Sequence, residues 1–322
     1  MSLHLTRPLL LCCLLVLTTA AMAEKARLPI KLVDKLILIE GTVDGQTGYF
    51  MLDLGVSDLV LNSRYFTGIK SKIADAFGVN GTLTSLETKW IGAEFGSLHW
   101  KRRLAHVLSL EHLEDSKGEK ILGLVGGKFF KKCQLTIDLR RMEVEIQQLS
   151  KDRFPDTFSK IYTEPEAILP FKYKGGMPWI EVRIGSVAYK FGLDTASEYS
   201  VMHEKWRSSV EPHLFNQRTV VSRGISATEK SVMSGKIGGL EIGSLKCYPM
   251  STLFTDMGTI NRNLAGANLD GLLGFDLLRQ FKVVIDYDRK EILVWRHSNA
   301  KDYPILITFG QQRDSLGFIR RE

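Results

Sequence analysis

The sequence predicts an all-β protein made of two tandem β-barrel lobes with a few short helices. Two observations carry that prediction. The chain repeats itself at a spacing of more than 100 residues, a size that marks domains rather than solenoid units. Both copies consist mainly of short runs of β-branched and aromatic residues closed by tight-turn dipeptides.

Residues 1–23 read as a segment apart from the fold. Arg7 precedes an apolar run from Leu9 to Leu17, and Ala21-Met22-Ala23 has the small-residue spacing of a cleavage site. The pattern predicts a signal peptide, with Glu24 as the mature N-terminus and a secreted or periplasmic destination. The alternative, an uncleaved anchor, is opposed by the length of the run, since a spanning helix needs about 20 apolar residues. After the leader no second long apolar stretch follows, so stable membrane insertion is not expected. Little chain separates Glu24 from the first strand near Leu28, so no long prosegment is expected either.

The formal charge of +7 falls to +6 without Arg7, and the basic residues are scattered. Scattered charge marks a solvated surface, and no alternation of basic and aromatic residues points to nucleic acid. Two of the four cysteines lie in the leader, leaving Cys133 and Cys247. These occupy non-equivalent points of the repeat, which favours two buried thiols over a disulfide. No histidine or cysteine spacing suits a metal, and no cofactor is expected. Gly123 to Lys128 resembles a phosphate loop, but its spacing and the lack of Ser or Thr after the lysine fail that motif.

The repeat has three blocks in one order. The stretch from Leu28 to Gly55 aligns without a gap on Leu169 to Ala196, with Leu28/Leu169, Pro29/Pro170, Phe50/Phe191, Leu52/Leu193 and Asp53/Asp194 among the identities. Gly96-Ser97-Leu98 recurs as Gly243-Ser244-Leu245, and Gly123 to Asp138 aligns with Gly271 to Asp286. In the first block, runs at 37–43 and 49–52 flank Asp44-Gly45, and runs at 179–184 and 188–193 flank Gly185-Ser186. Residues 127–132 and 275–280 fit one short helix each, and late hairpins are expected at 133–138/142–146 and 283–287/291–295. The expected units are a lobe over 24–147, a polar connector over 148–167, a second lobe over 168–298 and a tail over 299–322.

Each half places an aspartate after an apolar strand and before small residues, Leu52-Asp53-Leu54-Gly55 and Leu193-Asp194-Thr195-Ala196. Each then supplies an apolar-apolar-Gly turn, Leu124-Val125-Gly126 and Leu272-Leu273-Gly274. In these motifs the chain resembles the aspartic proteases of the pepsin and retropepsin type over roughly residues 28–297. The resemblance implies retropepsin-like lobes with the active site at their interface, Asp53 and Asp194 as the catalytic pair, and a peptide or protein substrate. It implies a monomer, because one chain supplies both carboxylates. Two carboxylates about 3 Å apart cannot both ionise readily and so share a proton. One can then activate water while the other stabilises the oxyanion. Gly55, Ser57, Thr195, Ala196, Gly126 and Gly274 are implied supports of the dyad. A closing flap is expected at 80–91 or 224–237, with Asn80, Gly81, Trp90 and Gly224 as candidates.

Departures from the family pattern keep a second function open. Leu54 stands where the family has a threonine whose hydroxyl ties the lobes together, and Ala196 replaces a glycine. Glu198, the counterpart of Ser57, puts a carboxylate close to the dyad along the chain. An active endopeptidase and a non-catalytic relative that binds peptides in the cleft both fit. A third reading, aspartates that merely form turns in an unrelated β protein, leaves the double motif unexplained.

Overall fold

This computed structural model describes residues 24–70, 76–78, 81–83, 87–149, 164–174, 176–223, 229–264 and 266–297. The leader, the tail from 298, Asn80 and Gly224 lie outside the described residues. Among the described residues no helix is long and apolar enough to cross a membrane.

The first lobe begins with a hairpin of Leu36–Val43 and Gln46–Leu52. Its turn, Asp44-Gly45, has φ of 46° and 77°, the pair of positive values a two-residue turn of this hand demands. The second lobe repeats the hairpin with Met177–Ile184 and Val187–Leu193. In each lobe a third strand then enters beside the second. Ile121–Val125 runs parallel to Gln46–Leu52 and antiparallel to Leu59–Asn62. Gly271–Leu273 runs parallel to Val187–Leu193 and antiparallel to Ser200–His203. The loop after the second strand, which holds the aspartate, is thus clasped between the same strands in both lobes.

A six-stranded sheet joins the halves, in the order Lys25–Pro29, Glu143–Gln148, Cys133–Asp138, Phe281–Asp286, Glu291–Arg296, Ala167–Pro170. Its first three strands come from the first half and mirror the last three. The central pairing sets Gln134 opposite Asp286 and Ile137 opposite Val283. The repeated Ile-Asp strand endings have a structural role. Asp138 Oδ1 accepts from the amides of Arg140 and Arg141, and Asp286 Oδ1 from those of Asp288 and Arg289. These are side-chain-closed turns at the ends of equivalent strands.

The helix expected over 127–132 is a 3-10 turn at Gly127–Phe130, because Lys132 takes φ of 66° and cannot continue it. Its counterpart is an α-helix at Phe275–Gln280, as expected. Met142, with φ of 53°, belongs to the turn, so the late strand starts at Glu143. Cys133 and Cys247 are buried and unpaired, and burial pushes their thiols up to about 11 and about 12.

Candidate active site

Asp53 follows directly on the strand Gln46–Leu52, and its amide donates to Val125 O at 3.0 Å. Asp194 follows Val187–Leu193, and its amide donates to Leu273 O at the same 3.0 Å. Each carboxylate is then oriented by the amide two residues on: Gly55 N donates to Asp53 Oδ1 at 2.9 Å, and Ala196 N to Asp194 Oδ1 at 3.0 Å. Ala196 keeps a negative φ, so the replacement of glycine there brings no backbone strain.

The apolar-apolar-Gly turns pass under these loops. Gly127 N donates to Val56 O, Lys128 N to Ser57 O, and Phe275 N to Ser197 O, at 3.0, 2.7 and 2.9 Å. A methyl group on Gly126 would lie 2.5 Å from Asp58 O and 2.6 Å from Val56 O. One on Gly274 would lie 2.5 Å from Ser197 O and 2.7 Å from Tyr199 O. No side chain fits in either place, which is the physical reason for glycine in both copies.

The two aspartates converge across the lobe interface. A methyl group on Gly55 would sit 3.0 Å from Asp53 Oδ1 and equally 3.0 Å from Asp194 Oδ1, so the two oxygens flank one point. Thr195 stitches the loops together. Its hydroxyl accepts from Leu54 N at 3.0 Å and donates to Leu52 O at 2.7 Å, both in the opposite lobe. Leu54 has no hydroxyl with which to return these bonds, and its side chain is fully buried in the apolar core. The tie is therefore one-sided, kept from the second lobe and absent from the first.

Electrostatics make the two carboxyls unequal. Asp53 is 3% exposed, whereas Asp194 is partly exposed. Burial first, then the charge of Asp194, raise Asp53 to about 8 against the pull of the Gly55 and Val56 amides. Burial raises Asp194 to about 6 against the Ala196 amide. Both keep a proton far above the ordinary carboxyl range, Asp53 the more firmly.

The other expected residues fall in different places. Ser57 donates its hydroxyl to Asp58 Oδ2 at 2.8 Å, so it is engaged by its neighbour and not by Asp53. Glu198 accepts from Lys117 Nζ at 2.6 Å, an ion pair between the lobes. Trp90 is 56% exposed in the strand Glu87–Phe95, with Arg102 stacked 4.4 Å from its ring centroid. Gly81 begins a short strand, Gly81–Leu83, paired with Ala76–Gly78. In the second lobe, Leu214–Arg223 and Glu229–Ile237 pair as long antiparallel strands. Sequence reasoning missed Lys117 and Glu114. Buried Glu114 accepts from Arg64 Nη1, Tyr65 OH and Ile121 N, which fastens the helix Glu111–Lys117 beside the third strand. Neither residue has a local signal, because its side-chain partners lie far away in the chain.

The sequence profile of the aspartyl protease family matches residues 180–277, most of the second lobe including Asp194 and Gly274. No curated protein matches the sequence. Among solved structures, the aspartic proteinase from Irpex lacteus is similar at 13% identity and a TM-score of 0.51. The match covers 87% of this chain and 99% of that one. That likeness is one of fold, and it extends over both lobes. The chain thus has the fold of a pepsin-like aspartic proteinase over both lobes, and its second lobe carries the sequence profile of the aspartyl proteases.

Proposed function

We propose that this chain is an aspartic endopeptidase that hydrolyses peptide bonds with a water activated between Asp53 and Asp194. The observation that carries the reading is the convergence of the two carboxyls on the space beside Gly55. The pair shares one proton, and its ionised member takes a proton from the water as the water oxygen bonds to the scissile carbonyl carbon. The protonated member donates a hydrogen bond to the oxyanion. The proton gained by the ionised member then passes to the leaving nitrogen as the C–N bond breaks. The residues at hand complete this cycle without a covalent intermediate or a cofactor. One chain contributes both carboxylates, which supports a monomer as the active unit, and the leader-like residues 1–23 support a periplasmic or secreted location.

The test is cleavage of a denatured protein by Asp53→Asn and Asp194→Asn. Each should lose activity by at least about 10³-fold. A D53N protein that cleaves as fast as wild type excludes the proposal. Leu54 favours a second reading, a pseudoprotease that holds peptides in the cleft. Saturable peptide binding with no turnover at any pH from roughly 3 to 8 would establish it instead.

A further inference from the structure

Beside the dyad, three charged residues connect the lobes. Lys117, the last residue of the helix Glu111–Lys117, donates to Glu198 Oε1 at 2.6 Å and to Asp34 Oδ2 at 3.3 Å. Asp34 lies in the first-lobe turn between Lys31–Val33 and Leu36–Val43, and Glu198 stands four residues after Asp194. The Lys117 side chain is only 14% exposed. Burial opposes its charge, yet Glu198 and then Asp34 outweigh burial and hold the ammonium above its ordinary range. Water screens such a pair less than it screens one on the open surface.

Two further contacts fix the same junction. Lys35 Nζ lies 4.0 Å from the ring centroid of Tyr199, next to Glu198. Asp34 and Lys35 form the two-residue turn between Lys31–Val33 and Leu36–Val43, with the positive φ of 44° and 71° that such a turn demands, and this turn points both side chains at the junction from one short loop. Beneath them Ala196, from the Asp194 loop, packs on a first-lobe cluster that includes Leu36, Leu110 and Leu113. Among the described residues, the related junction across the pseudo-two-fold shows no such ion pair between the lobes. There Gly176 presses against Ser57, and a side chain at 176 would collide with it. Among the described residues the charged junction stands on one side, in a molecule whose hydroxyl tie is also one-sided.

We infer that Lys117, with Glu198 and Asp34, is a clamp that positions the Asp194 loop against the Asp53 loop, doing the work of the hydroxyl that Leu54 lacks. The clamp rests on the dyad reading for its catalytic consequence. Lys117 is a positioning residue: its contacts are Glu198 and Asp34, and it acts through the loop that carries Asp194.

The test is Lys117→Met, which keeps the apolar stem and removes the charge. On a peptide substrate kcat falls about tenfold while KM stays within about twofold, because alignment and not binding is lost. Glu198→Gln behaves alike, and the double variant K117M/E198Q loses no more than about what K117M loses alone, because both changes remove one contact. A second measurement needs no turnover. The Leu54 amide bonds across the interface to Thr195 Oγ1, whereas the Asp53 amide bonds inside its own lobe to Val125 O. In K117M, hydrogen exchange read by NMR speeds up about tenfold at Leu54 and is unchanged at Asp53. Unchanged Leu54 exchange overturns the clamp, as do losses of kcat that add up in the double variant. If wild type turns over no peptide, the dyad reading fails, and the Leu54 amide alone decides the clamp.

Discussion

Burial and a neighbouring carboxylate lift Asp53 to about 8, and burial lifts Asp194 to about 6. A dyad needs one proton, so activity should rise as the pair loses its first proton near pH 6 and decline as it loses its second near pH 8. A bell-shaped kcat/KM profile centred near neutrality is expected, and an optimum below about pH 4 would contradict it. The same shifts bear on stability. Both carboxyls bind more protons in the folded chain than in the unfolded one between about pH 4 and 8, so stability falls as pH rises through that window. Asp53→Asn removes the larger part of this penalty. The variant should melt higher than wild type by on the order of 5 °C at pH 8, with the gain vanishing toward about pH 4. Thr195 offers a separate check. Thr195→Val keeps the shape but strips Leu54 N–H of its buried acceptor, and should cost about 1–3 kcal/mol in denaturant unfolding. Thr195→Ser keeps the hydroxyl and should cost clearly less.

Strand, turn and crossing segment recur as one unit, and the crossing glycine leaves no room for a side chain. Gly126→Ala and Gly274→Ala each force a methyl to 2.5 Å from a backbone oxygen. Both should lose upwards of about 3 kcal/mol, whereas Gly92→Ala, whose nearest contact is Trp100 O at 3.8 Å, should stay within about 1 kcal/mol. This unit was legible in the sequence because all its parts are local: a strand ending in aspartate, a small residue, an apolar pair before glycine. Ser57 shows the limit of such reading. Its place in the chain suggested support for Asp53, but the adjacent Asp58 carboxylate is an easier acceptor for its hydroxyl. Lys117 was not legible at all. Its helix falls between the matched blocks, and its partner is 81 residues away, a separation that leaves no periodic trace.

At the scale of the molecule, duplication was readable because it repeats in order, and the joint between the copies was not, because strand partnership between distant segments leaves no mark in either. The six-stranded sheet supplies that joint by pairing Cys133–Asp138 with Phe281–Asp286. The apolar core also continues from one lobe into the other, with Phe130 and Phe281 in one cluster. Calorimetry should therefore show one transition with equal calorimetric and van't Hoff enthalpies, and two resolved peaks would mean that the lobes melt separately. The seam has a further implication for a severed chain. A half made by itself would present a bare ribbon of amides and carbonyls along its Cys133–Asp138 or Phe281–Asp286 margin, and such a margin seeks a partner. Two fragments, one ending before residue 150 and one starting after 163, ought then to find each other and reassemble, with the peptide linkage between them dispensable once the ribbons have met.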